Sequence, residues 1–313
     1  LLIAAGFDNY SAKIWSTASG VIQNTFEDLR PKDGWYYLQN FALTFSPGGQ
    51  SLLIGGANII GMWDVKKGTL LNSAKIKSEG VYDLAFSPDG QTLASVEGPN
   101  VNLWQFPDGI LKPSQDLLQS NGNVDFSPDG TTLLASMFDS TARFWPLSDQ
   151  GVKKSFETEK KDYISAVTFS PDGQTLVLAG YTNTIELRQV SDGSLVKTMK
   201  MASTYGGVDP VVFSSDGKYL AAIRNDKVRL FQVEDGKVLK DFKGWSIAFS
   251  PDVTLLAGGG GDKTVTVWKI PKGDVLFTIK DRPDTIWAVT FSPDGKFLAA
   301  GYEDGTIDVF LAS

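Results

Sequence analysis

Phe86-Ser87-Pro88-Asp89-Gly90 reads as a tight turn, and close copies of it return six more times along the chain. Serine at the first corner, proline with φ already fixed, then aspartate and glycine, suit a type I turn. Alternating residues such as Ala166-Val167-Thr168-Phe169 lead into a copy and an apolar run such as Thr175-Leu176-Val177-Leu178-Ala179 leads out. Each copy therefore joins two strands. The copies start at Phe45, Phe86, Phe126, Phe169, Phe213, Phe249 and Phe291, in steps of 41, 40, 43, 44, 36 and 42 residues. A period near 40 marks one supersecondary unit per step. A lone hairpin cannot bury both faces, so neighbouring units must stack to make a core.

Working outward, each turn is followed by a second apolar strand, an Asp or Asn turn, a third strand with an aromatic, and a fourth strand. The third strands end at Trp63, Trp104, Trp145, Phe231, Trp268 and Phe310, with Trp15 in a first partial unit and Arg188 as the exception. Arg188 is expected to be an exposed salt-bridge residue. The fourth strand of the second full repeat contains Pro113, which only an edge strand tolerates. Residues 1–27 read as a partial repeat of three strands, 41–285 as six full repeats and 286–313 as a last repeat of three strands. Residues 1–313 are expected to form one domain, since repeat arrays run as single large units.

A turn copy, an apolar strand, and an Asp six residues before an aromatic (Asp139 to Trp145, Asp262 to Trp268, Asp304 to Phe310) together resemble the WD-repeat β-propeller family in its bacterial-looking FSPDG form. The resemblance covers essentially the whole chain and implies an all-β propeller of four-stranded antiparallel blades. It also marks departures. The Gly-His dipeptide usual in that family is absent, so its buried network of His, hydroxyl, Asp and Trp cannot form as such, and only Trp63-Asp64 keeps the namesake pair. Eight second strands and eight third strands are counted, but seven first and seven fourth strands. A propeller hides its edges by closing, so eight blades are expected, with the missing strands upstream of Leu1. Seven, with Val21–Phe26 closing the last blade, is the alternative.

Composition narrows function. The 313 residues are 42% hydrophobic and 21% charged, an ordinary globular balance with a sizeable core. A net charge of −7 without a basic run argues against nucleic acid as a partner. No apolar stretch approaches the length of a membrane helix, and Leu1–Ala5 lacks the basic flank of a signal peptide. The absence of cysteine excludes disulfides and thiolate metal sites but fixes no compartment. There is no histidine, the usual general base and commonest metal ligand, which removes most hydrolase constellations. Gly258-Gly259-Gly260-Gly261-Asp262-Lys263-Thr264 has the look of a phosphate loop, but Asp262 stands where the last glycine belongs and a strand follows where a helix should. The turn aspartates recur singly, as residues that cap turns do, not as calcium ligands. No catalytic residue, metal ligand or cofactor is predicted.

Binding residues are predicted from the resemblance. The position four before each turn Phe holds Phe41, Tyr82, Gly122, Ser165, Asp209, Trp245 and Trp287. In the family it lies where the first strand enters, on the face rimmed by loops. Trp35, Tyr36, Tyr163 and Tyr205 fall in or beside the same connections. Tyr and Trp are enriched at interaction hot spots, so Trp35, Tyr36, Phe41, Tyr82, Tyr163, Tyr205, Asp209, Trp245 and Trp287 are the candidate contacts for a protein or peptide. The alternative for these aromatics is packing between blades, which is the expectation for Trp15, Trp63, Trp104, Trp145 and Trp268. The resulting expectation is a non-catalytic scaffold. A sensor or regulatory module of a larger protein is the runner-up, and a hydrolase or lyase using carboxylates over a central channel comes third.

Overall fold

The computed structural model describes residues 2–7, 11–16, 22–26 and 42–312, apart from 57–58, 77–79, 98–99, 106–111, 119, 138, 149–153, 160, 162, 182, 202–205, 209, 283 and 305. The chain forms two compact units, Leu1–Phe156 and Glu157–Ser313. In the first, β1 (Leu2–Phe7), β2 (Ser11–Ser16) and β3 (Ile22–Phe26) make a three-stranded sheet. Three four-stranded sheets follow: β4 (Ala42–Phe45) to β7 (Leu70–Lys75), β8 (Val81–Phe86) to β11 (Lys112–Leu118), and β12 (Ser120–Phe126) to β15 (Lys154–Glu157). The second unit holds β16 (Ile164–Phe169) to β19 (Leu195–Lys200), β20 (Val211–Phe213) to β23 (Val238–Lys243), β24 (Ser246–Phe249) to β27 (Asp274–Ile279), and a three-stranded sheet of β28 (Ile286–Phe291), β29 (Phe297–Tyr302) and β30 (Ile307–Leu311). Strands neighbour one another in chain order, as in a meander.

The expected count of eight four-stranded blades is wrong; there are seven blades. Each opens with a strand ending in one of the seven turn phenylalanines, from β4 at Phe45 to β28 at Phe291, and the last has three strands among the described residues. Among the described residues the β1–β3 sheet has no such opening strand. Counting middle strands overcounts because the β1–β2 hairpin alternates like a second and third strand without belonging to a unit that the turn begins. β3 pairs with β2, Trp15 opposite Ile22. Pro113 is on an edge, as expected, since β11 is the outermost strand of its sheet.

Burial follows strand position. Second strands are buried on both faces, β9 (Thr92–Glu97) along its whole length, which is why they read as unbroken apolar runs. Fourth strands such as β19 alternate and stay mostly exposed. The third-strand aromatics pack against the preceding blade: Trp104 with Leu53, Ile60 and Met62, Trp145 with Val96 and Val101, Trp268 with Ile223 and Val228. Each such side chain removed from water contributes about 1.5–3 kcal/mol.

The turns repeat in detail. In six of them the serine hydroxyl donates to the aspartate two residues on, at 2.6–2.7 Å. The amide of the residue in the glycine position donates back to the serine carbonyl at 2.8–2.9 Å, as Gly90 does to Ser87. That residue is left-handed, Gly90 at φ 71°. Turns of successive blades also touch: a methyl group on Gly90 or Gly130 would lie 3.3 Å from the proline of the preceding turn, Pro47 or Pro88. One step breaks both rules together. Ser215 replaces the proline of its turn, and Val253 replaces the glycine of the next while keeping φ at 60°. There the Ser215 hydroxyl donates to the Pro251 carbonyl at 3.1 Å.

Candidate partner-binding face

At two of the positions four before a turn Phe, Tyr82 and Trp287, exposure has a structural cause. In β28 the ladder pairs Ile286 with Tyr302 and Ala288 with Gly301, skipping Trp287. In β8 it pairs Val81 with Glu97 and Asp83 with Val96, skipping Tyr82; in β16 it skips Ser165. A skipped residue is the extra one of a β-bulge and leaves the in-out alternation. Trp287 is accordingly 58% and Tyr82 52% exposed.

Trp245 stands one residue before β24, is 38% exposed, and meets Trp287 with ring centroids 5.4 Å apart at 44°. The glycine run builds the seat. The Trp245 amide donates to Gly259 O at 2.7 Å and the Ile286 amide to Gly260 O at 3.2 Å, tying the two strand entries to one loop. A methyl group on Gly261 would fall 2.8 Å from the Trp245 ring. The run that looks like a phosphate cradle is therefore clearance for its neighbours: Gly258 for the Trp268 ring, Gly259 for Ile286 and Gly261 for the Trp245 ring. Asp262 caps this turn, accepting from the Thr264 amide at 3.1 Å and its hydroxyl at 2.9 Å. Lys263 bridges to Asp284 at 3.3 Å. Beside Trp287, the Glu303 amide donates to Thr285 O at 2.9 Å, and Asp308 takes Arg282 and the Tyr302 hydroxyl, each at 2.9 Å. Burial, then the bond to Asp308, pushes the Tyr302 phenol well above its ordinary range.

A second aromatic pair lies elsewhere in the same unit. Tyr163 meets Tyr181 edge to face at 5.2 Å, and Tyr181 is 53% exposed. Beneath it Arg224, fully buried, donates to Tyr181 O and Gly206 O, both at 2.6 Å. Sequence reading missed Tyr181 because it scanned strand entries; its place twelve residues after Phe169, in the turn that Gly261 occupies two blades on, was the available signal. Tyr82 belongs to the first unit. Trp35, Tyr36, Phe41, Tyr205 and Asp209 lie outside the described residues.

Two polar clusters lie inside the blades. Trp104 Nε1 donates to Ser95 Oγ at 2.8 Å, and the Ser95 hydroxyl donates to buried Glu97. Arg188 is not the exposed residue expected: it forms a salt bridge, but a largely buried one, to the buried Glu186. Its Nε and Nη2 donate to Glu186 at 2.9 and 2.7 Å, with the two side chains 12% and 3% exposed. Where other blades put an aromatic, this one puts an ion pair. Among the described residues no group of three or more acidic side chains is placed to hold a metal ion, and no helix is long and apolar enough to cross a membrane.

Repeated four-stranded meanders, capped turns and third-strand aromatics packed on the preceding blade are the features of one architecture, and the comparisons agree. Residues 39–310 match the family described as the first β-propeller of IFT122. The chain belongs to this family, within the WD-repeat β-propellers. The WD-repeat relatives include the Arabidopsis thaliana transcriptional corepressor LEUNIG_HOMOLOG, 26% identical over 63% of this chain and 25% of its own length. The Caenorhabditis elegans transcription factor unc-37 is 26% identical over 71% of this chain and 37% of its own length. An uncharacterised WD repeat-containing protein of the cyanobacterium Synechocystis is 30% identical over 39% of this chain and 37% of its own length. The chain thus matches only about a quarter to two fifths of the length of these relatives. With a plant, a nematode and a cyanobacterium among them, the FSPDG form of this WD-repeat propeller assigns no bacterial source.

Proposed function

We propose that the protein is a non-catalytic propeller platform holding a protein or peptide partner on the face that carries Trp245 and Trp287. The observation that carries this reading is the pairing of two large aromatics, 38% and 58% exposed, on a loop tied down by backbone hydrogen bonds. Exposed aromatics held in a fixed geometry lose little conformational entropy on binding and make effective anchors. Relatives named a transcriptional corepressor and a transcription factor fit a platform that works through partners. They do not bring DNA contact with them, since this chain carries a net charge of −7. Tyr82 in the first unit and Tyr163 with Tyr181 in the second are the further contacts of the reading, and Trp35, Tyr36, Phe41, Tyr205 and Asp209 remain its sequence-level candidates.

The test is co-purification from the native source, with each captured protein identified and re-bound in purified form. A partner held by the wild type and lost by a folded Trp245→Ala/Trp287→Ala variant supports the reading; equal retention moves binding off this face. A second reading, a propeller module of a longer polypeptide, is favoured by the small share of each relative that this chain spans. A native mass well above 33.9 kDa supports it, and agreement with that mass sinks it.

A further inference from the structure

The loops around the tryptophan pair are unevenly charged, which points to the chemistry of what sits there. Four carboxylates, Asp262, Asp284, Glu303 and Asp304, lie on the turn under Trp245, on the approach to Trp287 and on the turn beside it, against one base, Lys263. That is a local charge of −3 (four acids less one base). Arg282 adds nothing to the balance because Asp308 pairs with it at 2.9 Å, and Lys280 is offset by neighbouring Asp281. Lys263 is held by Asp284 at 3.3 Å. Glu303 is exposed and forms no ion pair among the described residues. On the Trp245 side the balance reverses, since Lys227 and Lys243 outweigh Asp226. The acid is concentrated beside Trp287, the more exposed indole.

We propose that this site takes an extended segment of a basic protein, with a lysine or arginine cation against the face of Trp287 and flanking positive charge over Glu303 and Asp304. The inference rests on the partner-binding reading above and adds the partner's charge. An indole face attracts a cation through its quadrupole, and the Glu303 amide, bonded to the carbonyl of Thr285 two residues before Trp287, brings acid to the same loop. Trp245 lies beside Trp287 with ring centroids 5.4 Å apart, so the two indoles form one aromatic patch. The segment has a polarity: its basic part lies at Trp287, and any acidic residue lies toward Lys243.

A random dodecapeptide library displayed on phage, selected against the whole chain in low salt, tests this. The expected result is enrichment of Lys- and Arg-containing peptides whose affinity falls about tenfold or more in Trp287→Ala. Affinity should also fall severalfold between about 50 and 300 mM salt. A Glu303→Lys/Asp304→Lys variant, which keeps both indoles, should lose the same peptides and guards against misfolding of the tryptophan variant. Neutral or acidic peptides that still need Trp287 would overturn the basic partner and leave the binding face standing. Peptides indifferent to both variants, or no selected peptide at all, would overturn both.

Discussion

Two sets of tryptophans share a residue type and little else. Trp104, Trp145 and Trp268 stand on third strands and are buried against the preceding blade, whereas Trp245 and Trp287 stand where first strands enter and face water. Hydrophobicity cannot distinguish them; place in the blade does. A third-strand tryptophan is paired within its ladder, Trp104 opposite Leu93, while Trp287 is skipped by its own. Burial in this fold is thus a property of ladder position first and of side chain second.

The contrast is broken most sharply by truncation. Trp104→Ala should cost about 3–5 kcal/mol, because it opens a cavity and removes the indole donor to Ser95 above Glu97. Trp287→Ala should cost under about 1 kcal/mol while losing partner binding. Urea unfolding of both decides it, and similar losses would mean that the exposed pair is also structural.

Filling a turn glycine with a side chain attacks the pair from below. Gly261→Ala places a methyl group 2.8 Å from the Trp245 ring, so the indole must move. A destabilisation of about 1–3 kcal/mol is expected. Two indoles 5.4 Å apart couple their transitions, so the far-ultraviolet dichroism should also lose a paired band; an unchanged spectrum would refute the clearance role of the glycine run.

Val253 offers a gain. A β-branched residue at φ 60° is strained, and Val253→Gly should stabilise the fold by about 1 kcal/mol, read as a raised urea midpoint. Ser215→Pro should be unfavourable beside Val253 and tolerated beside glycine, and additive effects would show that the two turns do not communicate.

The smallest effect is acid sensitivity. Asp89, Asp129, Asp172 and Asp252 are held below the usual carboxylate range, first by the serine hydroxyl and then by a backbone amide. Groups whose folded pKa is depressed stabilise fully above the unfolded value of about 3.9 and lose that contribution as pH falls through the folded value. Stability should be level above about pH 5 and decline below about 4. Ser127→Ala should shrink the decline, and an equal decline in that variant would move its cause away from the turns.

The turn sequence made the repeat, the strand order and the fate of Trp104, Trp145 and Trp268 legible, because a type I turn and an unbroken apolar strand are local properties. Exposure of Trp245 and Trp287 was reachable only through the family position. A bulge is a relation between two strands, and nothing in Ile286-Trp287-Ala288 announces which residue the ladder will skip. The blade count failed for a related reason: β1 and β2 alternate as blade strands do, and only pairing shows that, among the described residues, no turn-ended strand joins their sheet. Arg188 was legible as a salt bridge and not as a buried one, since its depth depends on Glu186 and on the amide of Glu159, far from it in sequence. Tyr181 and Arg224 meet across two blades, beyond the reach of any single repeat.

The closeness of the glycine positions at Gly90, Gly130, Gly217 and Gly295 to the proline of the turn before has a consequence for how the units can be exchanged. Blades look like interchangeable copies, yet the turns at these four glycines are fitted to their predecessors, so such a unit spliced elsewhere would meet the wrong neighbour. Ser215 and Val253 are the visible trace of that rule: two substitutions, 38 residues apart, in adjoining copies. A change in one of these turns is felt in the next, through the Ser215 hydroxyl on the Pro251 carbonyl, so the joint between copies has to match as well as the copies themselves.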